Sequence, residues 1–290
     1  MPINPNLLPA VPVPFRSDGA LDGPRLEPLY ESLRAADVDG VFVSGTTGEF
    51  PTLDDAERDV VLSAALAVFG PDQVYAHVGA ASAHQAERLT ARAVMLGARN
   101  LAAITPYYLP AGPRSLEEYY RRIAAEAGDD ARLFVYLYAS RTTTAVTPEQ
   151  LAELATIPSV VGVKISGEPT ERVLEYLRAA PAGFAVYSGN DVEFGNVARA
   201  GCAGAVSGVS SAFPRPFVAL RDALRRGDDA AATAAQAGVQ QAVAAAGGNV
   251  ALIKTALAVR GLPAGPPRVA LDPPTPEQLD RISVAVKELC

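Results

Sequence analysis

The sequence predicts an α/β chain folded as a closed (β/α)8 TIM barrel with additional C-terminal helices. Three observations predict it. Eight short apolar runs recur over about 210 residues, and segments of helical pattern separate them. Alternation at this spacing implies parallel pairing through right-handed crossovers, and about 250 residues is the usual size of such a barrel. The rival, an open doubly wound sheet binding a nucleotide, usually carries a GxGxxG or P-loop after its first strand, and the chain has neither.

The predicted strands are 8–13, 40–43, 73–77, 100–104, 133–136, 160–164, 185–187 and 204–207. The helical patterns between them cover 24–36, 54–69, 82–96, 115–126, 147–155, 168–179 and 192–199. Two helix starts are written plainly: Asp54 before AERDVV, and Thr147-Pro148-Glu149, where proline takes the first helical position. Past the eighth strand the pattern is helical over 217–226, 230–246, 250–260 and 276–288, with proline- and glycine-rich linkers GLPAGPP and LDPPTP. The expected organisation is a barrel over 1–207 and a helical extension over 208–290 packed on it, which also offers an oligomer interface.

Composition narrows the function classes. Hydrophobic residues make up 49% and charged residues 20%, which excludes a disordered chain or a coiled coil. No uninterrupted apolar run reaches about eighteen residues, so no transmembrane helix is expected. The N-terminus has no basic region and too many prolines for a signal peptide. Cys202 and Cys290 are far apart in sequence, so no disulfide framework is expected and a cytoplasmic location is the default. A net charge of −7 argues against a nucleic-acid or anionic-membrane surface. His77 and His84 have no clustered partners, so no metal site is expected.

Of 25 basic residues only three are lysines, Lys164, Lys254 and Lys287. In a chain so biased toward arginine, a retained lysine points to a site where the amine must lose its proton and attack carbon, which arginine cannot do. Lys164 ends the sixth apolar run, VVGVK, at the barrel mouth where chemistry occurs in this fold. Desolvation there would lower its pKa and favour imine formation with a carbonyl substrate. Lys254 and Lys287 read as structural or exposed. At the other strand ends stand Ser44-Gly45-Thr46-Thr47-Gly48-Glu49, whose backbone N–H groups suit a carboxylate, then Thr105-Pro106-Tyr107-Tyr108, then Tyr136 to Thr143. Tyr136 and Tyr138 share one face of the fifth strand.

These segments, GTTGE, TPYY, YxxxSRT and GVK in this order, resemble the dihydrodipicolinate synthase and N-acetylneuraminate lyase superfamily, and the likeness runs from PVPF near the start to PPTPEQ near the end. The resemblance implies a metal-independent class I lyase acting on a 2-oxo acid and an aldehyde, with no cofactor beyond the covalent imine, commonly a homotetramer built as a dimer of dimers. It implies Lys164 as the Schiff-base lysine and Tyr136 as the proton-shuttling phenol. Thr47 would link Tyr136 to Tyr108 inserted from a neighbouring subunit. Gly45 and Thr46 would hold the pyruvate carboxylate, Arg141 the carboxylate of the aldehyde partner, and Val206 stands among the substrate-binding residues. Departures from the synthase pattern keep the reaction open. LYASRTT replaces NVPSRTG, Ile165-Ser166-Gly167 replaces EASG or DSSG, and GEFP also occurs in aldolase branches. Pro51, Asp55, Arg58 and Ala81 stand where lysine-feedback residues are found, so such feedback is not expected. The alternatives are a general pyruvate aldolase, a 4-hydroxy-tetrahydrodipicolinate synthase using aspartate semialdehyde, an aldolase or dehydratase of 2-keto-3-deoxy sugar acids, and a non-enzymatic 2-oxo-acid-binding barrel.

Overall fold

The structure, a computed structural model, describes residues 3–262 and 264–290; Met1, Pro2 and Pro263 of the GLPAGPP linker lie outside the described residues. Eight strands form one parallel sheet: β1 Asn6–Pro9, β2 Val41–Val43, β3 Val74–His77, β4 Asn100–Ile104, β5 Arg132–Leu137, β6 Val160–Ile165, β7 Ala185–Ser188 and β8 Gly204–Ser207. Their order, β1-β8-β7-β6-β5-β4-β3-β2, closes into a barrel through the Ala10–Phe42 bridge and the Val11 N–H donated to the Phe42 carbonyl at 3.0 Å. β1 ends four residues before the predicted limit. Pro12 and Pro14 have no N–H to give to a ladder, so the chain leaves the sheet there.

Among the described residues eight α-helices lie between β1 and β8, two of them after β5: α1 Leu26–Ala35, α2 Asp55–Phe69, α3 Ala83–Met95, α4 Pro113–Ala127, α5 Ala139–Thr142, α6 Pro148–Leu154, α7 Thr170–Ala179 and α8 Phe194–Arg199. After β8 come α9 Val209–Ala212, α10 Pro214–Arg226, α11 Asp229–Ala246, α12 Val250–Val259 and α13 Pro276–Leu289. Asp54 and Thr147 both close capping boxes, with Glu57 and Gln150, which satisfies the first free N–H groups of α2 and α6. α10 starts three residues before the predicted limit because Pro214 and Pro216 fit its first turn, where no N–H is needed. The four-residue helices α5 and α9 are too short to carry a period and were not foreseen.

Side chains alternate between two cores. Leu8, Phe42, Ala102, Phe134, Tyr136, Tyr187 and Val206 fill the barrel, while the other strand face packs on the helices. That outer core is continuous with the C-terminal helices, since Phe217, Leu220, Ile253 and Ile282 belong to it. Arg221 on α10, buried, reaches back to Asp37 and Asp39 below the barrel at 3.2 and 3.0 Å. Among the described residues no single helix is long and apolar enough to cross a membrane.

Candidate active site

Neighbouring strands bring the reactive groups to one level. Tyr136 pairs with Ile104 on one side and Lys164 on the other, and Lys164 pairs with Tyr187. Lys164 is 6% exposed and Tyr136 1%. The Lys164 Nζ lies 4.0 Å from the centre of the Tyr136 ring and 4.7 Å from that of Phe42. Among the described residues no carboxylate lies within ion-pair distance of it. A buried amine held by ring faces instead of a counter-ion has no structural task that an arginine or a methionine would not do as well.

The GTTGE loop leaves β2 with Ser44 at φ 54° and returns with Glu49 at φ 54°. Both glycines stand in tight space, Gly45 more than Gly48. A Cβ on Gly45 would stand 2.7 Å from the Phe42 ring, and one on Gly48 3.2 Å from the Ser44 Cα and the Val11 carbonyl. The turn aims its two threonines apart. The Thr46 hydroxyl meets the Tyr136 hydroxyl at 3.0 Å. The Thr47 hydroxyl points toward Gly208 after β8, 2.7 Å from where a Cβ would sit there. This corrects the expected role of Thr47: the hydroxyl joined to Tyr136 belongs to Thr46.

Arg141 sits on α5 with its guanidinium 5.9 Å from the Tyr138 ring centre, exposed and without a carboxylate partner among the described residues. Its loop is tied down by threonines. Thr105 Oγ1 donates to Thr142 Oγ1 at 2.9 Å, and Thr144 Oγ1 donates to the Pro106 carbonyl at 2.9 Å. Tyr108, on the loop so held, is 86% exposed with φ 77°.

A cavity of about 550 Å³ opens above Lys164. Thr46, Thr47, Tyr136, Arg141, Lys164 and Val206 all line it. Gly45 lies behind the wall, and Tyr108 points out to solvent within this chain. The lining also includes residues not foreseen: Tyr107, Ser166, Asp191, Asn249 and the segment Val269 to Leu271. Asp191 follows β7 at a strand end, a position that marks it, but no motif surrounds it. Burial pushes its carboxyl up to about 7, against the Ser207 hydroxyl and the Lys164 charge, and its Oδ1 has no partner. His77, below the GTTGE loop, is held well under the usual imidazole range by burial and by Arg58 and Lys164; its Nε2 accepts the Ile104 N–H at 3.3 Å. Among the described residues no cluster of three or more His, Cys, Asp or Glu side chains is placed to hold a metal.

A lysine and a tyrosine at the barrel mouth, a hydroxyl on the tyrosine and an exposed arginine at the rim suit imine chemistry on a carbonyl compound. The dihydrodipicolinate synthetase family profile matches residues 4–289, and the chain belongs to that family. It is 32% identical over 292 residues to the 4-hydroxy-tetrahydrodipicolinate synthase of Symbiobacterium thermophilum, covering 99% of each chain. The sialic acid aldolase of Ruminococcus gnavus superposes with a TM-score of 0.90 at 25% identity, over 99% of this chain and 97% of that one. A prophage protein of the dihydrodipicolinic acid synthase family from Escherichia coli, YagE, solved in complex with pyruvate, superposes with a TM-score of 0.88 at 25% identity over 99% of each chain. The protein is a carbon–carbon lyase, and enzymes of its family work through a covalent lysine–pyruvate imine without an external cofactor.

Proposed function

We propose that the protein is a pyruvate-dependent class I aldolase in which Lys164 is the nucleophile. The observation that carries this reading is the buried Lys164 amine, without a carboxylate partner among the described residues, on the Tyr136 ring at the floor of the cavity. In this reading the Lys164 Nζ adds to the ketone carbon of pyruvate. The carbinolamine oxygen takes a proton and leaves as water; the resulting iminium acidifies the methyl carbon, whose proton passes to the Tyr136 oxygen while the C–H electron pair forms the enamine. The enamine carbon attacks the aldehyde carbon, and the new alkoxide takes a proton. Hydrolysis of the imine releases product and restores the amine. Tyr136 is the group within reach of these proton transfers, and its hydroxyl is held by Thr46. Thr47 and the backbone amides of Thr46 and Thr47 receive the pyruvate carboxylate, with Val206 in the same lining.

Arg141, exposed at the rim and without a carboxylate partner among the described residues, supports an acceptor that carries its own carboxylate, aspartate semialdehyde first. Asp191 and Ser166, also in the lining, support the second reading, a hydroxylated aldehyde from a 2-keto-3-deoxy sugar acid. The exposed Tyr108 and Leu109 support assembly with further copies, a homotetramer by the family's habit, and the two free cysteines support a reducing cytoplasm.

Borohydride reduction in the presence of pyruvate, followed by intact mass and peptide mapping, tests the chemistry. A pyruvyl adduct on Lys164 supports the reading, and a panel of aldehydes then identifies the acceptor. Folded protein that takes no adduct from pyruvate or any other 2-oxo acid overturns it.

A further inference from the structure

A second lysine is as deeply buried as the first. Lys254 on α12 is 2% exposed, and its Nζ lies 2.6 Å from Glu49 Oε1 and 3.0 Å from the Pro266 carbonyl that accepts from it. Glu49 is the last residue of the GTTGE loop and is itself buried. Its other oxygen, Oε2, accepts the backbone N–H groups of Arg268 and Val269 at 2.6 and 2.8 Å. Its own N–H donates to the Thr46 carbonyl at 3.0 Å. The pair therefore joins two segments: the loop that presents Thr46 to Tyr136, and the stretch 264–271 whose Val269, Ala270 and Leu271 line the cavity.

The rest of that stretch is built to stay in place. Gly265 has φ 67°, and a Cβ there would fall 1.7 Å from the Phe15 carbonyl. Arg268 donates to the Gly19 and Thr52 carbonyls and to both oxygens of Glu57. Lys254 and Arg268 both lie over the Phe15 ring, at 4.4 and 4.0 Å. The space around Glu49 Oε1 explains why a lysine persists here in a chain of arginines: a compact ammonium serves one carboxylate oxygen, one carbonyl and one ring face, and a planar fork would not fit them.

We propose that Lys254 is a positioning residue for the reaction: paired with Glu49, it latches the 264–271 segment onto the loop carrying Thr46 and so fixes the Thr46–Tyr136 hydrogen bond. This rests on the lyase reading above for its catalytic consequence. Its structural content does not.

The test compares wild type, Lys254→Met and Lys254→Met/Glu49→Gln. The single change leaves a buried carboxylate without its ammonium. The double change removes both charges, while the glutamine carbonyl still accepts from the two backbone amides. Two quantities are measured: amide hydrogen exchange across the chain, and the rate of pyruvate trapping by borohydride. Expected in Lys254→Met are faster exchange at the amides of Glu49, Arg268 and Val269, unchanged exchange in β4 to β7, and trapping slowed at least about tenfold. Expected in the double variant is recovery of both. Wild-type exchange and trapping in Lys254→Met overturn the proposal. So does an impaired single variant that the double variant fails to rescue, or a loss of protection spread evenly over the barrel. If wild type traps no pyruvate, the lyase reading fails on its own, and the exchange pattern still decides whether the latch exists.

Discussion

Thr46 and Thr47 are adjacent and chemically identical, and the turn between Gly45 and Gly48 sends them to different places. Thr46→Val removes the hydroxyl bonded to Tyr136 and should lower kcat by about 10²-fold, the usual scale for a proton-transfer partner, with little change in KM for pyruvate. Thr47→Val should chiefly raise that KM. Steady-state kinetics of the two variants separate the roles, and the reverse pattern would restore the role first expected for Thr47. Lys164→Arg keeps the charge and should take no pyruvate adduct at all, by intact mass. Asp191 gives a prediction about pH. Its folded pKa of about 7 lies above the unfolded value of 3.8. Between these values the folded state binds a proton that the unfolded state has lost, so the contribution of Asp191 to stability falls as pH rises from about 4 to 7 and is level above that. Urea unfolding at pH 4.5 and 7.5 should show Asp191→Asn gaining on wild type at the higher pH, by at most about 4 kcal/mol. An equal gap at both values would show that the carboxyl titrates alike in both states. Lys164 stood out in the sequence as the lysine ending an apolar run, Tyr136 and Arg141 through the family resemblance, and all three line the cavity. Asp191 did not stand out, because the groups that face its carboxyl, the Ser207 hydroxyl and the Lys164 charge, come from other strands.

At the scale of elements, what could be read was periodicity and what could not was contact between distant residues. Capping residues and apolar runs located most strands and helices to within two residues. The larger errors fell at prolines: β1 stops early where Pro12 and Pro14 cannot donate, and α10 starts early because prolines suit its first turn. The 264–271 segment looked like a plain linker, since its anchors Glu49, Thr52 and Glu57 lie more than two hundred residues away. The α5 region shows the same kind of tie. Thr142 joins the Arg141 loop to Thr105, so Thr142→Val leaves the Thr105 hydroxyl buried without its partner. The expected cost is about 1–3 kcal/mol in thermal or denaturant unfolding. The effect on kcat/KM should be larger for a carboxylated aldehyde than for a neutral one. An equal effect on both acceptors would detach Arg141 from acceptor binding.

Over the whole molecule, the helices after β8 share one apolar core with the barrel, and Arg221 and Arg225 anchor them to Asp39 beneath it. A fragment ending at Ser207 would expose the face that Phe217, Leu220 and Ile253 cover. Unfolding of the full chain by urea should therefore show one transition by circular dichroism and tyrosine fluorescence together, and the 1–207 fragment should show none. Two separated transitions would mean that the extension is a unit of its own.

The distribution of lysines has a practical side. Lys164 and Lys254 are buried, and Lys287 on α13 is the exposed one of the three. Amine-directed coupling to a surface or a dye will find a single side-chain handle, on the last helix and away from the cavity lining. Immobilised through Lys287, the protein keeps its cavity open, and a small carbonyl reagent that then modifies Lys164 reports directly on what has entered it.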